Sequence, residues 1–235
     1  MTEDLNRGGE SWNYLHGTLE EVNNIQKIAK DKNISTLYFT GNDALEENFK
    51  LLNGNASPSI LHISTHGFFF PDPEQKKEDL ERMRITGEDK NVFKLSDNPL
   101  NRAELLFAGA NHTWKGENAS ENLEDGILTV YEASQIYLPN TKLVVLSACE
   151  TGLGDIKGSE GVFGLQRAFK AAGAEYLMMS LWKVPDKETA EFMEEFYKEL
   201  FKTNAIENSY KTAQDFMKEK YPDEPYKWAA FVLVR

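Results

Sequence analysis

The sequence predicts an α/β domain with a mostly parallel central sheet and helices on both faces. Short apolar runs that suit buried strands alternate with segments in which apolar residues recur at helical spacing. The clearest strand is Leu143–Leu146, a continuous apolar run typical of a strand covered on both sides. Four glycines follow between residues 152 and 161, and a helical pattern begins at Val162. Open α/β sheets assemble their sites at such strand-to-loop transitions, so we expect a site here.

Length and composition limit the classes of protein that fit. The chain has 235 residues, 40% of them hydrophobic, which is enough for one sizeable core. We expect residues 1–11 to be a flexible tail and residues 12–235 to form one domain. The net charge of −12 disfavours direct contact with nucleic acid or an anionic membrane. The single cysteine excludes an internal disulfide, and no signal peptide or membrane-spanning run is evident, so we expect a cytoplasmic protein.

The first third of the chain predicts a helix and a parallel pair of strands. Thr18 and Glu21 have the spacing of a capping box, in which Thr18 caps a helix and Glu21 reaches back to it. Residues 36–40 read as a strand, residues 43–52 as a helix and residues 59–64 as a second strand. Strand, helix, strand in this order implies a right-handed crossover.

The rest of the chain continues the alternation of helices and strands. Residues 103–109 and 126–128 flank a loop and predict a small hairpin. Thr129 and Glu132 repeat the capping pattern and open a short helix that ends at Pro139. The remaining predicted elements are a helix at 162–172, a strand at 176–181, helices at 186–200 and 206–217, and a strand at 228–234.

Residues 71–100 have few apolar positions and many charges of both signs. Such a connection is typically a solvated surface loop. A sharper interpretation is a regulatory or self-cleaved loop beside the neighbouring histidine, and the sequence leaves both open.

Cys149 and His66 are the candidate catalytic residues. Cys149 is the only cysteine and follows the Leu143–Leu146 run, while His66 follows a second strand. A cysteine nucleophile needs a histidine that reaches it in space, not in sequence. Taken alone, each residue could have a purely structural role, since cysteine is often a small buried hydrophobic residue and histidine is often structural.

Two motifs resemble those of the CHAT peptidases, a caspase-like family of cysteine proteases. They are Thr65-His66-Gly67 and Ser147-Ala148-Cys149-Glu150-Thr151-Gly152. The resemblance covers most of the chain from about Gly17 and continues through Gly158-Ser159-Glu160-Gly161, Arg167-Ala168-Phe169, Ala172-Gly173-Ala174, Ser180-Leu181-Trp182 and the segment from Trp228 to Leu233.

This resemblance implies a three-layer caspase-like sandwich and a cysteine endopeptidase that cleaves protein substrates. It implies a Cys149–His66 dyad without an acidic third member, a thioester acyl-enzyme, and no metal or organic cofactor. The backbone N–H groups of Gly67 and Cys149 would form the oxyanion hole. Such domains often follow helical-repeat domains that keep them inactive, so a regulatory repeat domain or activating partner is expected.

The sequence departs from the family at its beginning. Those domains have a further strand ahead of the first helix, and nothing before Thr18 reads as one. Either the chain is a fragment of a longer protein, or another segment fills that position in the sheet.

The substrate pocket is expected near Ser147 and the loop from Trp182 to Asp186, by resemblance to caspase-like enzymes. Glu150 and Asp155 flank the thiol in the sequence. Any of these carboxylates in the pocket would favour a basic residue before the scissile bond. The plainer roles are an N-cap for Asp186 and solvated loop positions for Glu150 and Asp155.

Other functions compete with the peptidase. His62 and His66 lie four residues apart, but in a strand this spacing spans about 13 Å, too far for one metal ion, so His62 is predicted to be a packed residue. Gly152-Leu153-Gly154 suggests a nucleotide-binding module, although no Gly-Lys-Ser/Thr follows it. A catalytically inactive caspase-like binding module is the other alternative.

Overall fold

A four-stranded sheet forms the centre of the molecule. The computed structural model describes residues 11–69, 103–117, 124–147, 160–182 and 184–235. The sheet has the order β1-β5-β6-β7, where β1 is Ile60–Ile63, β5 is Leu143–Leu146, β6 is Tyr176–Ser180 and β7 is Phe231–Val234. The first three strands are parallel and β7 is antiparallel to β6. The predicted mostly parallel sheet is therefore confirmed.

Helices cover both faces of this sheet. In chain order the α-helices of the described residues are α1 (His16–Asp31), α2 (Glu46–Lys50), α3 (Ala110–Trp114), α4 (Val130–Gln135), α5 (Glu160–Ala172), α6 (Asp186–Thr203) and α7 (Ile206–Lys220). Alternate residues of β5 point to opposite faces. Val144 and Leu146 join a core cluster with α2, α4 and α5, and Leu143 and Val145 join one with α1, α6 and α7. The result is the predicted three-layer, caspase-like α/β arrangement.

A small antiparallel sheet lies beside the end of β1. It has the order β2-β3-β4, with β2 at Gly67–Phe69, β3 at Ala103–Leu106 and β4 at Ile127–Thr129. The hairpin expected from residues 103–109 and 126–128 is confirmed, with Leu105 opposite Leu128. The capping box is confirmed as well, because Thr129 accepts from the Glu132 N–H and Glu132 accepts from the Thr129 N–H. The helix it opens ends at Gln135, four residues before Pro139.

Three expectations about the first third of the chain were wrong. Residues 36–40 form no strand, and Leu37 in this stretch is 70% exposed. A strand needs a partner and a covered face, and local propensity supplies neither. Consequently the predicted crossover between parallel strands at 36–40 and 59–64 does not exist. The helix predicted at 43–52 is shorter than expected, because α2 spans only Glu46–Lys50.

Two predicted helix caps were also wrong. The first helix begins at His16 rather than after Thr18, and the Thr18 hydroxyl donates to the Leu15 carbonyl. Glu21 makes no capping box and is buried. Asp186 is the first residue of α6, whose N-cap is Pro185 without a side-chain cap bond.

No helix among the described residues is long and apolar enough to cross a membrane. The expected tail at residues 1–11, apart from Ser11, and the charged stretch at 71–100 lie outside the described residues.

Candidate active site

His66 lies just past the carboxyl end of β1, where the small sheet begins. Its carbonyl accepts a hydrogen bond from the Leu106 N–H at 3.0 Å. The Thr65 hydroxyl donates to the Leu106 carbonyl, and Gly67 opens β2 opposite Leu105. Both neighbours of His66 are thus tied to β3, which fixes the backbone that carries the imidazole.

The His66 ring is held by a backbone carbonyl. Its Nε2 lies 2.6 Å from the Asn13 carbonyl oxygen. A carbonyl only accepts, so Nε2 carries a proton and donates. In the neutral ring the other nitrogen, Nδ1, is then the proton acceptor. Among the described residues, the group that accepts from His66 Nε2 is therefore a backbone carbonyl.

Asn111 fixes the segment that supplies this carbonyl. The side chain of Asn111, on α3, accepts from the Trp12 N–H at 2.7 Å and donates to the Trp12 carbonyl at 3.0 Å. The Trp12 ring lies 5.0 Å from the His66 ring and 5.2 Å from the ring of Trp114, between centroids. The residue before Asn13 is therefore held at both backbone groups and through its ring.

The parallel register brings Ser147, which follows β5, to the same edge of the sheet. Ile63 is opposite Leu146, and the Ser147 N–H continues the ladder by donating to the Ile63 carbonyl at 2.9 Å. Cys149 follows Ser147 by two residues and His66 follows Ile63 by three. Cys149 itself, together with Glu150 and Asp155, lies outside the described residues.

Glu21, on α1, connects these two strand ends through hydrogen bonds. One carboxylate oxygen, Oε2, accepts from the hydroxyls of Ser64 at 2.8 Å and Ser147 at 2.9 Å. The other, Oε1, lies 3.1 Å from His62 Nε2 without the angle of a hydrogen bond. His62 Nδ1 contacts the Tyr197 hydroxyl at 2.9 Å, and complete burial raises the pKa of Tyr197. His62 is a packed residue, as predicted.

A small open pocket, with a cavity volume of about 30 Å³, lies between this edge of the sheet and α1. Two of the predicted pocket residues, Ser147 and Asp186, line it, and so do Glu21 and Thr65. Trp182 is not among the lining residues, and its indole N–H donates to the Tyr226 carbonyl at 2.8 Å. The sequence analysis missed Glu21 because its spacing from Thr18 indicated a cap.

A carboxylate cluster elsewhere in the structure surrounds a lysine. The Lys50 ammonium lies 2.8 Å from Glu46, 2.7 Å from Glu124 and 3.0 Å from Glu132. These three carboxylates are close enough together to hold a metal ion, but the lysine supplies the cation. Burial raises the pKa of Glu46 to about 7, although Lys50 opposes this shift.

The fold and the edge that carries His66 define a caspase-like α/β domain. The CHAT domain model matches residues 4–235, so the chain belongs to the CHAT domain family. Among curated proteins, Tetratricopeptide repeat protein 28 of Homo sapiens is 33% identical over 125 residues, which are 51% of this chain and 5% of that protein. The protein of the same name from Mus musculus is 32% identical over 113 residues, or 48% and 4% respectively. The matched part is thus a small fraction of these relatives.

Proposed function

We propose that this protein is a cysteine endopeptidase with Cys149 as nucleophile and His66 as general base and acid. The observation that carries the proposal is the fixed imidazole at the edge of the sheet. Its Nε2–H is held by the Asn13 carbonyl, and the register of β1 and β5 brings Ser147, two residues before Cys149 in the sequence, to the same edge.

The chemistry follows from the orientation of His66. Nδ1 accepts the proton of the Cys149 thiol, and the thiolate attacks the carbonyl carbon of the scissile peptide. The backbone N–H groups of Gly67 and Cys149 donate to the oxyanion. The imidazolium then protonates the leaving amine and a thioester remains, which water hydrolyses with His66 as base. The Asn13 carbonyl stabilises the imidazolium, because it accepts a hydrogen bond from a charged donor.

Control by a repeat domain is part of the same proposal. The curated relatives are named as tetratricopeptide repeat proteins, and the CHAT match covers nearly all of this chain. We therefore propose that this domain cleaves the protein substrate. Helical repeats, in the same polypeptide or in a partner, regulate the domain.

The test measures the reactivity of the thiol and needs no known substrate. Intact-mass spectrometry follows alkylation by iodoacetamide between pH 5 and pH 9. A thiolate paired with an imidazolium reacts well below the usual thiol pKa of about 8.5. We expect fast alkylation at pH 6 in the native protein, none in Cys149→Ala and a return to the ordinary pH profile in His66→Ala.

The matched control is His112→Ala, because His112 is an exposed histidine whose Nδ1 contacts Glu117 on the surface. It should alkylate like the native protein. An ordinary thiol profile in a folded native chain would contradict the dyad and favour a catalytically inactive binding module. Labelling by acyloxymethyl ketone peptides, compared among the same variants, then tests whether the thiol acts on a peptide substrate.

A further inference from the structure

Glu21 connects the two strand ends that lead to the proposed catalytic residues. Its Oε2 accepts hydrogen bonds from the Ser64 hydroxyl at 2.8 Å and from the Ser147 hydroxyl at 2.9 Å. Ser64 precedes His66 by two residues, and Ser147 precedes Cys149 by two. We propose that Glu21 is a positioning residue of the peptidase, because this shared acceptor sets the distance between the imidazole and the thiol. The inference rests on the proposed function and adds a residue that lies outside both motifs.

A single oxygen with two donors restrains both strand ends. The ladder of β1 and β5 continues to the Ser147 N–H, which donates to the Ile63 carbonyl at 2.9 Å. Glu21 adds a second connection at the same level, through the side chains of Ser147 and of Ser64, the residue after Ile63. An acceptor shared by two hydroxyls keeps them within two hydrogen-bond lengths of each other. The residues that follow each serine therefore start from strand ends with a fixed separation.

The Glu21 carboxylate is itself oriented by a buried polar chain that reaches α6. Its other oxygen, Oε1, lies 3.1 Å from His62 Nε2. His62 Nδ1 contacts the Tyr197 hydroxyl at 2.9 Å, and Tyr197, on α6, is 1% exposed. Both oxygens of Glu21 thus face polar groups, and the residue is only 3% exposed. The carboxylate therefore has a defined orientation, as the acceptor for two strand ends requires.

Stability alone does not account for a carboxylate at this position. Val145, opposite His62 on β5, and Ile25, on α1, belong to the apolar cluster on this face of the sheet. A buried ionic group is often no more stabilising than an apolar side chain of similar size. Hydrogen bonds add a defined direction and distance, and catalysis needs both, because a misplacement of about 1 Å in a reacting group can cost about 100-fold in rate.

The test follows alkylation of the protein by iodoacetamide with intact-mass spectrometry and needs no known substrate. Glu21→Met removes the acceptor and keeps a long side chain. Circular dichroism establishes that the variant is folded. Its alkylation rate at pH 6 should fall about 10- to 100-fold, because a thiol displaced from its imidazole is mostly protonated at this pH.

Glu21→Gln separates hydrogen bonding from charge. The amide oxygen can still accept from both serines, so the alkylation rate at pH 6 should stay within about threefold of the native rate. Equal losses in Glu21→Gln and Glu21→Met would show that the charge of Glu21 acts, rather than its hydrogen bonds, and would overturn the proposal. Glu20→Met is the matched control, since Glu20 is the exposed neighbour on α1, and it should alkylate like the native protein.

Ser64→Ala tests the same connection from the other partner. It removes one donor to Oε2 and should slow alkylation at pH 6 by about threefold or more. An unchanged rate in Ser64→Ala overturns the proposal, also where Glu21→Met does not fold. Where both variants fold, the double variant should be no slower than Glu21→Met, because the shared acceptor is already absent.

The native protein separates failure of this inference from failure of the proposed function. An ordinary thiol profile in the native protein contradicts the dyad and the positioning role together. A native profile shifted to low pH that Glu21→Met retains overturns the positioning role and leaves the peptidase standing. In cleavage of a peptide substrate, the loss in Glu21→Met should appear in kcat rather than in KM, because Glu21 acts on the reacting groups and not on the bound substrate.

Discussion

Glu104 gives the stability of this fold a pH dependence that a single substitution should remove. Its side chain, on β3, is 0% exposed, and neither carboxyl oxygen has a hydrogen-bond partner in the part of the chain that the structure describes. Burial, with a smaller contribution from the negative charges of Asp125 and Glu132, raises the pKa of Glu104 to about 9. The carboxyl group is therefore protonated in the folded protein at neutral pH.

The sign of the effect follows from proton uptake. In the unfolded chain this carboxyl titrates near 4.5, so the unfolded state loses its proton as pH rises while the folded state keeps it. The contribution of Glu104 to the free energy of unfolding then falls by about 1.4 kcal/mol per pH unit between the two values. Between pH 5.5 and pH 7.5 the loss is about 2.5 kcal/mol.

Glu104→Met removes the titrating group and keeps a long side chain of similar volume. We expect the variant to be more stable than the native protein, with an advantage about 2.5 kcal/mol larger at pH 7.5 than at pH 5.5. Urea denaturation at the two pH values, followed by circular dichroism, measures this difference.

Glu104→Gln serves as the control for polarity. It buries an amide without a titrating proton, so it should lose the same pH dependence while gaining less stability than Glu104→Met. Equal pH dependence in the native protein and in Glu104→Met would refute the argument. It would mean that Glu104 is ionised in the folded state.

Two further predictions concern Asn111, which positions the segment that contacts His66, and Lys50, which pairs with the buried Glu46. Asn111→Ala frees the segment that carries the Asn13 carbonyl, so kcat should fall roughly 10- to 100-fold with little change in KM. The acid limb of the pH–rate profile should move to lower pH, because the imidazolium of His66 loses a stabilising acceptor. An unchanged profile would contradict a positioning role for Asn111. Lys50→Met leaves the buried Glu46 without its ammonium, and urea denaturation should show a loss of about 3 kcal/mol at pH 8. The loss should be smaller at pH 5.5, where Glu46, with a pKa of about 7, takes up a proton; equal losses at both pH values would contradict this.

Local pattern was sufficient for the elements whose signals lie within one turn or one strand. The apolar run of β5 is buried at all four positions, and the capping box of Thr129 and Glu132 forms as its spacing predicts. The same holds for Gly173, which ends α5 with a φ of +114°, a conformation that side chains rarely adopt. Each depends on neighbours at most a few residues away, which is why the sequence could predict it.

Long-range contacts decided the features that the sequence analysis missed. The position of the Asn13 carbonyl depends on the hydrogen bonds between Asn111 and Trp12, which are 99 positions apart in the sequence. Glu21 reaches Ser147 across 126 positions. Neither contact leaves a local period or motif, and the capping spacing of Thr18 and Glu21 even favoured another role. The missing strand at 36–40 has the same origin, because only a neighbouring strand could have paired it.

The missed contacts of the Asn13 carbonyl and of Glu21 both belong to residues 12–21. The two family motifs therefore do not form the site by themselves. The motifs bring His66 and Ser147 to one edge of the sheet. Residues 12–21 then supply the carbonyl that selects the tautomer of His66 and several residues that line the pocket, Glu21 among them. A histidine with the opposite tautomer would present a proton at Nδ1 and could not accept one from the thiol. Under the proposed mechanism, catalysis therefore depends on the position of this segment as well as on the two motif residues.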